Sequence, residues 1–114
     1  MEETRATLIF LQSSPTLPND GIYDYRVISV YAALDWYKKH TPFCNIGNQA
    51  VADALGLVLG ERLEAKWRRL EMNKGDEALV FRLKLKPESA LLRRPRCDVI
   101  LAHSEIGLLK KVAM

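Results

Sequence analysis

The segment Asn45-Ile46-Gly47-Asn48-Gln49-Ala50-Val51-Ala52-Asp53-Ala54-Leu55 holds the most readable chemistry of the chain. A short apolar run meets a Gly-Asn corner, and small and apolar residues then start a helix. Such a corner turns backbone N–H groups and a polar side chain outward at a helix N-terminus. An anion is stabilised there, above all a phosphate. The residue on the corner decides what happens to that phosphate. A histidine could move protons; asparagine does not titrate and can only hold.

The elements around the corner must position it. Ala6-Thr7-Leu8-Ile9-Phe10-Leu11 is a compact apolar run and reads as a buried strand. Ser13-Ser14-Pro15 ends it, and Pro18-Asn19-Asp20-Gly21 is a strong turn signal. Residues Ile22 to Ile28 alternate in part, as a short strand or an extended loop would. Ser29 has the form of an N-cap, with Val30, Ala33, Leu34 and Tyr37 following at helical spacing. Lys38 and Lys39 suit a last turn, where the helix dipole favours cations, and Pro42 stops the helix. Phe43 to Ile46 is a brief strand before the corner, and Gly56 and Gly60 bracket the end of the second helix.

Beyond it, Glu61 to Met72 is mixed in charge, and its apolar spacing permits either helix or strand. Asn73-Lys74-Gly75-Asp76 is a turn, and Ala78 to Leu85 is the clearest strand of the chain. Lys86-Pro87-Glu88-Ser89 breaks that strand, and Arg93-Arg94-Pro95-Arg96 is a basic loop. The tail reads as a short helix and a strand from Ile106 to Val112. The expected fold class is α/β: one domain over residues 1–114, a small mixed sheet flanked by short helices.

Composition bounds the rest. The 114 residues suffice for one real core, and 48% hydrophobic with 27% charged residues is ordinary for a globular protein. Glu2, Glu3 and Arg5 interrupt any signal peptide, and no apolar run approaches a membrane span, so the expected compartment is the cytoplasm. Cys44 and Cys97 are too few for a disulfide framework and lack metal-site spacing; they are expected to be reduced and structural. A net charge of +3 suits an anionic ligand but is too mild to imply binding to duplex nucleic acid.

The order of motifs from residue 8 onward resembles the viral ring nucleases, anti-CRISPR proteins that cut cyclic tetra-adenylate. Leu11-Gln12-Ser13-Ser14-Pro15 stands for the family's strand ending in Asn-Ser-Pro, and Gly21-Ile22-Tyr23 for its Gly-x-Tyr segment. Asn45-Ile46-Gly47-Asn48 stands for its Ala-Ile-Gly-His corner, and Leu59-Gly60 for its helix end. The Met-x-x-Gly-Asp-x-Ala-Leu-Val-Phe-Arg-Leu signature is present as Met72-Asn73-Lys74-Gly75-Asp76-Glu77-Ala78-Leu79-Val80-Phe81-Arg82-Leu83. Gly107-Leu108-Leu109 matches its closing strand. The Gly-Asp signature is fairly specific; the other matches are individually weak.

The resemblance implies a homodimer whose two helix corners face one cyclic oligoadenylate across the dimer axis, with no metal and no cofactor. In the family a histidine is the general acid on the leaving oxygen, the ligand's own ribose hydroxyl attacks, and a carboxylate after the long strand belongs to the site. Here the histidine falls on Asn48, and the asparagine of the first strand falls on Ser13, with Ser14 kept. The arginine before the Gly-Asp turn falls on Trp67 or, shifted by one, Arg68. The arginine and glutamate after the long strand fall on Lys86 and Glu88, with one residue missing between them. Lysine lacks arginine's bidentate fork for phosphate.

Ser13, Ser14, Asn48, Gln49, Arg68 and Lys86 are therefore the candidate ligand-binding residues, and Glu88 the candidate catalytic carboxylate. Each also has a plain structural reading: Asn48 as N-cap, Gln49 as an exposed first-turn residue, Ser13 and Ser14 as a strand end, Glu88 as a solvated loop residue. Arg62, Lys66, Arg68 and Arg69 form either a solvated face or a phosphate-neutralising cluster. Trp67 beside them reads as packing, or as a surface on which an adenine stacks. The expected function is a dimeric binder of a cyclic oligoadenylate with cleavage weak or absent. The alternative is an interaction or structural module that keeps the fold without a nucleotide site. A third reading is an active nuclease using another acid, such as His40, His103 or Lys86.

Overall fold

A computed structural model describes residues 7–14, 19–86 and 88–113. The described elements are β1 (Ile9–Gln12), β2 (Ile22–Val27), α1 (Val30–His40), β3 (Phe43–Cys44), α2 (Gln49–Leu59), β4 (Glu77–Leu83), α3 (Cys97–Ala102) and β5 (Ser104–Ala113). A single 3-10 turn, Ala90–Leu92, precedes α3. The strands make one mixed sheet in the order β2-β5-β4-β1-β3. β1 pairs in parallel with both β3 and β4, whereas β5 runs antiparallel to β2 and β4. The α/β class expected from the sequence is the class observed.

Helices α1 and α2 start and stop where the sequence provides a cap. Ser29 Oγ accepts from the Ala32 N–H at 3.1 Å and opens α1. Thr41, at φ 45°, closes it by donating its N–H to the Tyr37 carbonyl. α1 turns Ala33 and Trp36 fully inward, with Val30, Leu34 and Tyr37 packed partly against the same core. α2 buries Ala52, Ala54, Leu55, Gly56, Val58 and Leu59, so it is covered on more than one side. Gly60, at φ 74°, caps its C-terminus in the left-handed region open to glycine.

β4 explains the longest apolar run. It lies between β5 and β1, so Ala78, Leu79, Val80 and Phe81 are all buried, alternating between the two faces. Leu11, Leu79, Phe81 and Ile106 face the helices. Phe10, Ala78, Val80 and Leu109 face the other way, where Leu70 and Met72 pack on them.

Residues 61–72 differ from the expectation. They form neither helix nor strand, but an irregular strip whose hydrogen bonds go to loops and side chains. The Lys66 N–H donates to the Ile46 carbonyl at 2.9 Å, and the Met72 N–H to Asn19 Oδ1 at 3.0 Å. The brief strand is also shorter than expected: it stops at Cys44, leaving Asn45 and Ile46 in the loop before α2. Ala6 and Pro15 to Pro18, which entered the expected first strand and turn, lie outside the described residues.

Candidate ligand site

β1, β3 and β4 are mutually parallel, so their C-terminal ends fall on one side of the sheet. Crevices at such ends are where open α/β sheets place ligands. Ser13 and Ser14 leave β1 there, and Asn45 to Asn48 leave β3 beside them. The Asn45 N–H donates to the Leu11 carbonyl at 2.9 Å and holds the start of the corner against the end of β1. Lys86 and Glu88 follow β4 on the same side, both exposed.

Asn48 is the N-cap of α2, in extended backbone. Its Oδ1 accepts from the N–H groups of Ala50 at 2.9 Å and Val51 at 3.2 Å. The cap uses the carbonyl end of the amide. The exposed side chain thus keeps its NH₂ end, with two donor hydrogens, for solvent or an anion. The first turn of α2 contains no acidic residue, which leaves the positive end of the helix dipole open to an anion; the Asp53 carboxylate further along the helix is held by Gln49. The corner can attract and hold a phosphate. It has no group able to protonate a leaving oxygen.

Gln49 is engaged inside the protein. Its Oε1 accepts from the Ala65 N–H at 2.8 Å; its Nε2 donates to the Leu63 carbonyl at 3.0 Å and to Asp53 Oδ1 at 2.7 Å. One amide thus clasps the irregular strip to the first turn of α2. Asn45, 8% exposed, adds a second clasp, with its Oδ1 accepting from the Arg68 N–H at 2.8 Å. The sequence marks Asn45 only as part of the corner; the signal for its clasping role is a polar residue inside an otherwise apolar run.

Arg68 lies on the flank of the sheet, with its guanidinium 5.0 Å from the centroid of the Phe43 ring, a cation–π distance. Phe43 opens β3 and stacks on Phe10 at 5.8 Å. Ser13, Ser14 and the corner are brought to one sheet end, whereas the Arg68 head is drawn onto the strand beside it. Trp67, 71% exposed, lies alongside the corner, where a Cβ added to Gly47 would sit 3.4 Å from the Trp67 Cβ.

A polar group that sequence reasoning did not assign stands at the ends of β4 and β5. Arg82 Nη1 is 3.5 Å from Glu105 Oε2, and the Tyr25 hydroxyl donates to the same oxygen at 3.0 Å. Burial pushes the Tyr25 phenol above its ordinary value, and the hydrogen bond to Glu105 adds to the rise. Among the described residues no three His, Cys, Asp or Glu side chains are grouped to hold a metal ion. No described helix is long and apolar enough to cross a membrane.

A parallel core with an antiparallel return strand, and a capped helix corner at the strand ends, define the class. Residues 9–106 match the STIV B116-like family, and the chain belongs to that family. Among solved structures it is similar to B116 of Sulfolobus turreted icosahedral virus, with a TM-score of 0.73 and 15% identity. That likeness covers 90% of this chain and 98% of the viral protein, and it shows a shared fold. No curated protein matches the chain.

Proposed function

We propose that this protein binds a cyclic oligoadenylate as a homodimer and cleaves it slowly or not at all. The observation that carries the reading is the state of Asn48. It stands at the corner where the ring nucleases it resembles keep a general-acid histidine, and its carbonyl caps α2 while its NH₂ end remains a donor. A helix terminus with no acidic residue in its first turn and the net charge of +3 favour an anionic ligand at that place. Ser13 and Ser14 supply hydroxyls beside the corner, Lys86 a point charge, and Gln49 and Asn45 keep the corner rigid. Arg68 adds positive potential from the flank, and Glu88 is the one candidate carboxylate for residual proton transfer. Positioning and electrostatics can still accelerate attack by the ligand's own ribose hydroxyl, so slow cleavage fits the reading.

The test uses radiolabelled cyclic tetra-adenylate with excess protein, read by filter binding and by chromatography of the products. The expected result is retention at micromolar protein with little product, and one ligand per two chains in sedimentation. Absence of binding at micromolar protein rejects the ligand; rapid single-turnover cleavage rejects the holding role. Asn48→His should raise cleavage by about a hundredfold if only the general acid is missing.

A further inference from the structure

Trp67 is large, apolar and 71% exposed, whereas the other tryptophan, Trp36, is 6% exposed. Its backbone is fixed on both sides. The Lys66 N–H is bound to the Ile46 carbonyl at 2.9 Å, and the Arg68 N–H to Asn45 Oδ1 at 2.8 Å. Both anchors belong to the loop that ends at the Asn48 corner. Gly47 lies against the base of the indole: a Cβ added there would approach the Trp67 Cβ at 3.4 Å, Cγ at 3.8 Å and Cδ1 at 3.9 Å. The indole is thus held next to the corner by its backbone while most of its surface faces water. Its chain neighbours Lys66, Arg68 and Arg69 are exposed, and none has a carboxylate partner among the described residues; the Arg68 guanidinium lies over Phe43.

An exposed aromatic platform beside the Asn48 corner, on a basic stretch of chain, suits a flat, electron-rich ring attached to a phosphate. We propose that Trp67 stacks one adenine of the cyclic oligoadenylate while the adjoining phosphate faces Asn48; the assignment rests on the ligand proposed above. Anchoring of the neighbouring backbone reduces the segmental freedom that the strip would otherwise lose on binding. Stacking would also set a preference for purine rings at this position, because their larger surface covers more of the indole.

Fluorescence of the full chain tests the proposal directly, since Trp36 is buried and Trp67 supplies the solvent-exposed emission. Titration with cyclic tetra-adenylate should quench the exposed component in the wild type and leave Trp67→Phe without that change. Affinity in filter binding should fall about tenfold or more in Trp67→Ala, and less in Trp67→Phe, which keeps a ring. Circular dichroism confirms the fold of both variants. Wild-type binding matched by Trp67→Ala overturns the stacking role and leaves the ligand proposal standing. Absence of wild-type binding overturns both. Dissociation of Trp67→Ala to a monomer in sedimentation makes the indole an interface residue and overturns stacking.

Discussion

The Asp76 carboxylate accepts a hydrogen bond from the Leu8 backbone N–H at 2.8 Å across 68 positions of sequence. Its second oxygen accepts from the Asn73 N–H at 2.7 Å and closes the turn before β4. Gly75, at φ 95°, supplies the turn's left-handed residue. The Gly-Asp signature, the most specific part of the sequence resemblance, therefore performs architecture: it fixes the start of β1 against the start of β4. Asp76→Ala leaves two part-buried backbone donors without that acceptor. The expected loss is about 2–4 kcal/mol in urea unfolding, since each stranded donor costs about 1–3 kcal/mol. A midpoint unchanged from wild type would remove the architectural role.

The corner gives a prediction in which stability and binding part company. Aspartate caps a helix as well as asparagine does and suits the positive end of α2. Asn48→Asp should therefore match or exceed the wild type in thermal stability. Its outward oxygen would repel a phosphate, so affinity for cyclic tetra-adenylate should fall by about tenfold or more, given that a charge-assisted contact is worth about 1.5–3 kcal/mol. Asn48→Ala should instead lose about 1 kcal/mol of stability with the cap. Equal affinity in Asn48→Asp and wild type would place the ligand elsewhere.

Gly107 is a packing prediction. A Cβ there would lie 2.4 Å from three atoms of the Tyr25 side chain, so the phenol crosses the strand on the glycine's bare face. Gly107→Ala should cost about 1–3 kcal/mol by overpacking and should break the Tyr25–Glu105 hydrogen bond. Combining it with Tyr25→Ala should cost less than the sum of the two single changes, because the clash is then absent. Simple additivity in unfolding experiments would show that the two residues do not meet.

Alkaline pH should weaken the fold in a defined direction. Burial pushes the phenols of Tyr23, Tyr25 and Tyr37 above 10.0, their ordinary value. The folded state thus holds the proton more tightly than the unfolded chain does. That contribution is complete below pH 10.0 and is lost as pH rises through the folded values. Urea midpoints should fall from about pH 10 upward, and Tyr25→Phe should flatten the decline. A slope that Tyr25→Phe leaves untouched would assign the alkaline loss to other groups.

Legibility in the sequence followed the range of the interactions. The Ser29 cap and the β4 strand are local patterns; the cap stands where expected, and the strand runs from Glu77 to Leu83, ending two residues before the expected Leu85. The strip 61–72 was open between helix and strand because its stabilising partners are not local. Gln49 reaches Leu63 and Ala65, 14 and 16 positions away, and nothing in the first turn of α2 announces it. Lys111 is a sharper case. In sequence it is the twin of Lys110, yet it is fully buried, with Nζ donating to the Asp20 and Met72 carbonyls at 2.7 and 2.9 Å. Strand alternation separates the two lysines, but only the loops that close over β5 supply the carbonyls. The same holds for the site. The Asn48 corner was visible as a helix start, whereas the position of the Arg68 head over Phe43 depends on how the strip folds back.

β5 sits between β2 and β4 and is antiparallel to both. During synthesis residues 22–27 emerge long before residues 104–113, which alone among the described strands pair with them. The early chain must therefore carry an unzipped β2 until the return strand arrives. Completion of the sheet becomes a late and cooperative event, and folding is slowed by the length of chain that must close. A nascent chain stalled before residue 104 should be protease-sensitive throughout residues 22–27, and release of ten further residues should make that segment resistant in one step.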